Sequence, residues 1–140
     1  MFLSKEELRT VAQLPIIDKI TAEDDSIIDI IIDESIAVMS SMLSRFYDVD
    51  VIFAKEGTER NLTVVKYLKD ICIYEIYNRC TREQNEVAEN RYNIAMEWLT
   101  KLNNGELEDS TLPLRQEEED GNATTGDVRY GGNKRYNSIY

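Results

Sequence analysis

Four aspartates, Asp24, Asp25, Asp29 and Asp33, lie close together along one stretch of the chain, and a magnesium site can be imagined from them. Carboxylates spaced by four on a helix are more often the mark of a solvated face, and no glycine-rich phosphate loop of the GxGxxG or GxxxxGK[ST] kind accompanies them. The run "EEEDG" at residues 117–121 does not match a calcium-binding EF-hand loop. Histidine is absent altogether, which removes the commonest general base and the histidine-based triads and metal sites. The cysteines, Cys72 and Cys80, stand eight residues apart in a segment that reads as one helix. That separation is roughly 12 Å along the helix axis, whereas a disulfide needs less than about 7 Å. With no CxxC pair, a structural zinc site is not expected either. The expectation is therefore two buried thiols, no metal, no cofactor and no catalytic residue, in a protein that is not an enzyme.

The residues best suited to making contacts lie instead at the C-terminal end, in "RYGGNKRYNSIY", residues 129–140. Tyr130, Tyr136 and Tyr140 are large contact residues, Arg129, Lys134 and Arg135 can pair with acidic surface, and Gly131 and Gly132 permit sharp bends. Tyrosine and arginine are the side chains enriched at interface hot spots. This basic segment ends a chain of net charge −11, in which residues 1–114 hold 12 basic and 22 acidic side chains and residues 115–140 hold 4 and 5. An acidic body grips nucleic acid poorly, because phosphate binding relies on Lys and Arg replacing counterions. The same acidity suits a surface that DNA slides past. Trp98 and the tyrosines of the third helix, in acidic surroundings, are expected to be core and interface aromatics and not a base-stacking platform. The tail is read as a peptide that docks on protein.

What must position these residues is helical. A chain of 140 residues fits one domain, and 42% hydrophobic residues can build one modest core. The expected fold is all-α: a small four-helix bundle over residues 1–114, made of a short N-terminal helix and three longer ones, then an extended docking tail over 115–140. Ser4 and Glu7 have capping-box spacing and predict a helix from Lys5 to about Val11. Pro15 is read as a break, with "PIIDKIT" as a connector to a second cap at Thr21 and Asp24. The second helix is expected from about Ala22 to Tyr47, with Ile28, Ile31, Ile32, Ser35, Met39, Met42, Leu43 and Phe46 on its core face. Ile27, Ile30 and Val38 fall outside that stripe, which nominates them for a subunit interface. Alternation of Val49, Val51 and Phe53 suggests a loop or short strand, and Gly57 a turn. Asn61 caps a third helix to about Cys80. Thr81 and Gln84 then box a fourth, Arg82 to about Leu102, which buries Val87, Ala88, Ile94, Ala95, Trp98, Leu99 and Leu102 and is closed by Gly105. Residues 115–140 hold too little aliphatic surface to order themselves. The N-terminus lacks the pattern of a signal peptide, and Asp29, Asp33 and Glu34 interrupt the most apolar segment, so a soluble, intracellular protein with no membrane contact is expected.

The long helix ending "LSRFYDVDV", then "VVKYLKDICIYEIYNR", then "ENRYNIAMEWLTKLNNGELEDSTLPL", resemble in order the tailed-phage head-tail connector or head-completion family that includes Mu-like members. Arg45, Phe46 and Tyr47 match the family's helix-ending pair. Trp98, Leu99, Gly105, Leu112 and Pro113 match its later Trp-Leu helix, glycine and Leu-Pro exit. The chain departs from the pattern in lacking the usual proline after residue 47, which bears on the segment from Asp48 to Arg60. The "GGNKRY" ending is similar to connector proteins of gut crAss-like and related phages. The resemblance implies an adaptor that is a homo-oligomer of about twelve copies, assembled in the host cytoplasm and placed in the virion neck. Such a ring sits below the portal protein, extends the DNA channel without specific DNA binding, and receives adjacent neck and tail proteins. From a different class, a helical regulatory or scaffold adaptor that binds an intracellular protein through the same tail is the alternative.

Overall fold

The computed structural model describes residues 1–79 and 85–116, and it is helical as expected. A 3-10 helix at Lys5–Thr10 is followed by α1 (Leu14–Thr21), α2 (Asp25–Leu43), α3 (Val49–Ala54), a 3-10 turn at Gly57–Glu59, α4 (Leu62–Asn78) and α5 (Glu86–Asn104). Among the described residues there is no strand, and extended backbone pairs at one isolated antiparallel bridge, Tyr47 with Leu114.

Local chemistry explains most of the boundaries. The Ser4–Glu7 box is formed, with the Ser4 amide donating to the Glu7 carboxylate at 3.0 Å, although the helix it starts is 3-10 and not α. The break expected at Pro15 is a helix start: proline in the first turn forfeits only an amide that has no intrahelical acceptor, so "LPIIDKIT" is α1 and not a connector. Ala22 and Glu23 then take left-handed backbone, φ 53° and 61°, so α2 starts at Asp25 with Asp24 as its cap. Thr21 does not cap it; its hydroxyl donates back to the Ile17 carbonyl at 2.9 Å. The helix ends at Leu43, four residues short of Tyr47.

The segment expected as a loop or strand is α3. Asp48 caps it by accepting from the Val51 amide at 3.2 Å. Val49, Ile52 and Phe53 turn toward the core while Val51 is exposed, a three-and-four period that overrides the apparent alternation. Asn61 caps α4 as expected, accepting from the amides of Thr63 and Val64. Asn85, in extended backbone, caps α5, which therefore begins at Glu86 and not at Arg82. Cys80, Thr81 and Gln84 lie outside the described residues. Gly105 closes α5 in the left-handed region, φ 78°.

Packing centres on α4, which lies against α1, α2 and α5. It buries Val64, Val65, Leu68, Ile71, Cys72, Ile73, Ile76 and Tyr77. Facing it are Ile28, Ile31, Ile32, Met39 and Leu43 of α2 and Ala88, Ala95, Leu99 and Leu102 of α5. Val87 and Ile94, expected inside, are 57% and 46% exposed. The inward stripe of α5 runs through the two alanines, whose small side chains let the helix come close, and this turns the flanking Val87 and Ile94 outward.

Two ionic clasps tie the N-terminal segment to this core. The Arg60 guanidinium donates to Glu7 at 2.6 and 3.1 Å, to the Phe2 carbonyl at 2.7 Å and to the Gly57 carbonyl at 2.7 Å. It also lies over the Phe2 ring, which meets Phe53 edge-on at 4.9 Å. Lys5 bridges Asp18 of α1 and Asp25 of α2 at 2.5 and 2.6 Å, and those carboxylates hold its ammonium protonated beyond its ordinary range.

The hydrogen bond from Arg60, with the Ser4 amide assisting, holds the Glu7 carboxyl below its usual range. Its stabilisation is present above the unfolded pKa and is lost as pH falls through the lower folded one. Burial does the opposite to Asp70, raising its carboxyl against the pull of Lys66 at 3.4 Å. Glu7→Gln is expected to lose about 1–2 kcal/mol at neutral pH, a range set for a half-exposed charged hydrogen bond, with the deficit shrinking in acid. Asp70→Asn is expected to raise the melting temperature at neutral pH, because a carboxylate that resists ionisation in the fold is replaced by a neutral group. That gain too shrinks as Asp70 becomes protonated. Thermal denaturation of both variants between pH 3 and 8 checks the opposite signs.

Candidate assembly interface

At the C-terminal end of α2 the chain builds a corner from residues far apart in sequence. Arg45 donates to the Asn103 carbonyl in the last turn of α5 at 3.1 Å, and its guanidinium lies 4.9 Å from the centre of the Phe46 ring. Phe46 in turn lies over Gly105, where an added Cβ would meet the ring at 3.6 Å. Tyr47 is buried, and its hydroxyl accepts from the Asp109 amide at 3.1 Å. The Asp48 amide donates to the Pro113 carbonyl and the Arg115 amide to the Phe46 carbonyl, both at 2.9 Å. Arg115 also donates from its guanidinium to the Ser44 carbonyl at 3.1 Å. Leu112 is buried under these contacts. Arg45, Phe46 and Tyr47 thus join Gly105, Leu112 and Pro113 at one place, while Leu99 is fully buried and Trp98 stacks on Tyr67 at 4.7 Å.

The interface candidates on α2 separate. Ile27 is half-buried against the core, whereas Ile30 and Val38 are 56% and 44% exposed. Beside Val38 a half-open groove of about 370 Å³ runs between three helices, lined by Ile31, Glu34, Ser35 and Val38 of α2, Ile71, Glu75 and Arg79 of α4, and Tyr92 of α5. Tyr92 stacks on Tyr74 with ring centres 4.0 Å apart. Partial burial raises the Tyr92 phenol above its ordinary range, and the charge of Glu75 adds to the effect. Neither Glu34 nor Glu75 has a hydrogen-bond or ion-pair partner among the described residues. Behind the groove, burial pushes the Cys72 thiol up to about 12 against a hydrogen bond with Ser35, so it stays protonated and unreactive at neutral pH.

The aspartate series divides among separate tasks. Asp24 accepts from the Ser26 amide and hydroxyl at 3.0 and 2.6 Å, Asp25 pairs with Lys5, and Asp29 and Asp33 face solvent. Among the described residues no cluster of His, Cys, Asp or Glu is arranged to hold a metal ion, and no helix is long and apolar enough to cross a membrane. The tail candidates Arg129, Tyr130, Gly131, Gly132, Lys134, Arg135, Tyr136 and Tyr140 lie outside the described residues. Glu34, Glu75 and Tyr92 were not singled out from the sequence. The one signal available was Glu34 standing midway between Ile30 and Val38, a carboxylate inside an otherwise apolar i, i+4, i+8 row.

A family model described as "Bacteriophage Mu, Gp36" matches residues 3–129. The chain belongs to the bacteriophage Mu Gp36 family. No curated protein and no solved structure matches it. The match covers the helical body, both halves of the corner and the whole groove, and it ends at Arg129, the first residue of the basic segment. The likeness of this phage protein to its family thus runs along residues 3–129.

The corner can be taken apart one contact at a time. Tyr47→Phe removes the acceptor of the Asp109 amide and is expected to cost about 0.5–1.5 kcal/mol. Gly105→Ala is expected to cost about 1–2 kcal/mol. The cost comes from forcing alanine into left-handed backbone, since the new methyl would meet Phe46 only at ordinary contact distance. Urea denaturation of each variant gives both numbers.

Proposed function

We propose that this Mu Gp36 family member is a structural virion protein, a head-tail connector. In this reading about twelve copies form a ring below the portal in the virion neck, extend the DNA channel and receive tail components. The supporting observation is the surplus apolar surface of α2: its inner face is already occupied by α4 and α5, yet Ile30 and Val38 face outward. A ring is a heterologous assembly, so each copy must offer two different faces. A second face is available beside the corner, where Leu114 is 71% exposed and Leu62, next to the Asn61 that bonds Thr111, is 77% exposed. The acidic balance of residues 1–114, with 12 basic and 22 acidic side chains, supports passage of DNA without retention, since phosphate binding relies on Lys and Arg replacing counterions. The reading assigns no catalysis and no cofactor, and it gives the basic tail to the portal or an adjacent neck protein.

Native mass spectrometry and negative-stain imaging of the protein with its portal test the proposal. Closed rings of about twelve copies are expected, and a one-to-one complex without rings would instead favour a regulatory or scaffold adaptor. Ile30→Asp combined with Val38→Asp is expected to abolish rings while changing monomer stability by less than about 1 kcal/mol, because both sites are at the surface. Removing residues 129–140 is expected to leave ring formation intact and to weaken attachment to the portal.

A further inference from the structure

We propose that, in the free chain, the basic segment 129–140 folds back onto its own α2–α4–α5 groove. The occupant is argued from shape, charge and reach. A groove of about 370 Å³ takes one or two aromatic side chains and their backbone, whereas a helix of a second copy, about 10–12 Å across, does not fit in it. Its apolar lining comes from Ile31, Val38 and Ile71, and it also carries the Tyr92 ring, a surface for a further tyrosine. Glu34 and Glu75, without partners among the described residues, are acceptors for arginine and lysine. Segment 129–140 supplies those chemistries together, with three tyrosines, three cations and no acid. Arg79 on the rim is the one cation lining the groove, which leaves the carboxylates in excess.

Reach selects the chain's own tail over a neighbour's. The described chain ends at residue 116, held at the end of α2 by the bonds from Arg115 to Phe46 and Ser44. Along α2 from Ser44, Val38 lies about 9 Å away and Ile31 about 20 Å. The intervening residues 117–128 make a twelve-residue linker whose root-mean-square span as a coil is about 19 Å. A linker whose span matches the distance gives the highest effective concentration, in the millimolar range for short linkers. At micromolar protein the tail therefore meets its own groove far more often than another copy's. Self-docking covers Val38, so the tail and the α2 face become available together when a partner draws the segment away. The inference concerns the isolated chain and does not rest on the connector reading.

The test uses the full chain with Cys80→Ser, to which Val38→Cys and Ser138→Cys are added before oxidation at low micromolar concentration. An intrachain disulfide is expected to form about tenfold faster than in a control with Ala37→Cys, exposed on the neighbouring face of the same helix and equally near, the excess reflecting the local concentration set by docking. Adding Glu34→Lys and Glu75→Lys is expected to bring the rate down to the control's. Disulfide-linked dimers as the main product would assign the groove to another copy, and a parent rate equal to the control's would leave the groove without the tail; either overturns the proposal. Hydrogen exchange on the chain without cysteine substitutions supplies a second measure. Protection of the amides of 130–140, lost in the Glu34→Lys, Glu75→Lys variant, is expected, and absence of protection also overturns it.

Discussion

The structure depends on the burial of α4 around most of its circumference. A seventeen-residue helix with buried side chains from Val64 through Tyr77 must be surrounded, and α1, α2 and α5 are what the chain has to surround it with. Each surrounding helix is then a single layer, with one face spent on α4 and the other left to solvent. In a domain of this size the outer faces cannot all be polar, since not enough polar surface exists to cover it. The exposure of Val87 and Ile94 follows from this geometry, and so does the groove, which is the seam where α2 and α5 meet alongside α4.

The ionic contacts have a different role from the core. Arg60 and Lys5 each gather several acceptors from different segments, so they help fix where the N-terminal 3-10 helix and α1 sit, while the buried Phe2, Leu3, Leu8 and Ile17 supply the apolar contact. Surface pairs of this sort contribute little when isolated, but a guanidinium with four acceptors restricts geometry as well as lowering energy. Asp70 is the counterexample inside the core, a carboxylate held in a place that favours its neutral form.

Several caps and the glycine stop were legible in the sequence because they act over three or four residues, although Thr21 does not cap α2 and the caps Asp48 and Asn85 were missed. Ser4 with Glu7, Asn61 and Gly105 all sit where local hydrogen bonding places them. Misreadings arose where one pattern serves two structures. Pro15 stops a helix from the inside and starts one from the first turn, and Val49, Val51 and Phe53 satisfy a strand's alternation until Ile52 turns out to be the buried residue. Ala88 and Ala95 proved to be the close-packing face of α5 in preference to the larger Val87 and Ile94, a choice made by the neighbouring helix. The corner and the groove were beyond local reasoning altogether. Their contacts cross 58 residues from Arg45 to Asn103 and 71 from Arg115 to Ser44, and only the path of the backbone brings such residues together.

The corner also decides how the protein carries a mechanical load. Tension applied beyond residue 116 first meets the Arg115 bonds to Phe46 and Ser44, then the Asp48–Pro113 bond, the Asn61–Thr111 bond and the bond from Asp109 to Tyr47, before it reaches the last turn of α5 at Asn104. All of those attachments except the one to Asn61, the cap of α4, are made to residues 44–48. A pull on the C-terminal segment is thus delivered to the end of α2 through several bonds in series, and α5 is spared from unwinding from its C-terminus. Whatever grips that segment holds the protein at the end of α2 and not by the last turn of α5.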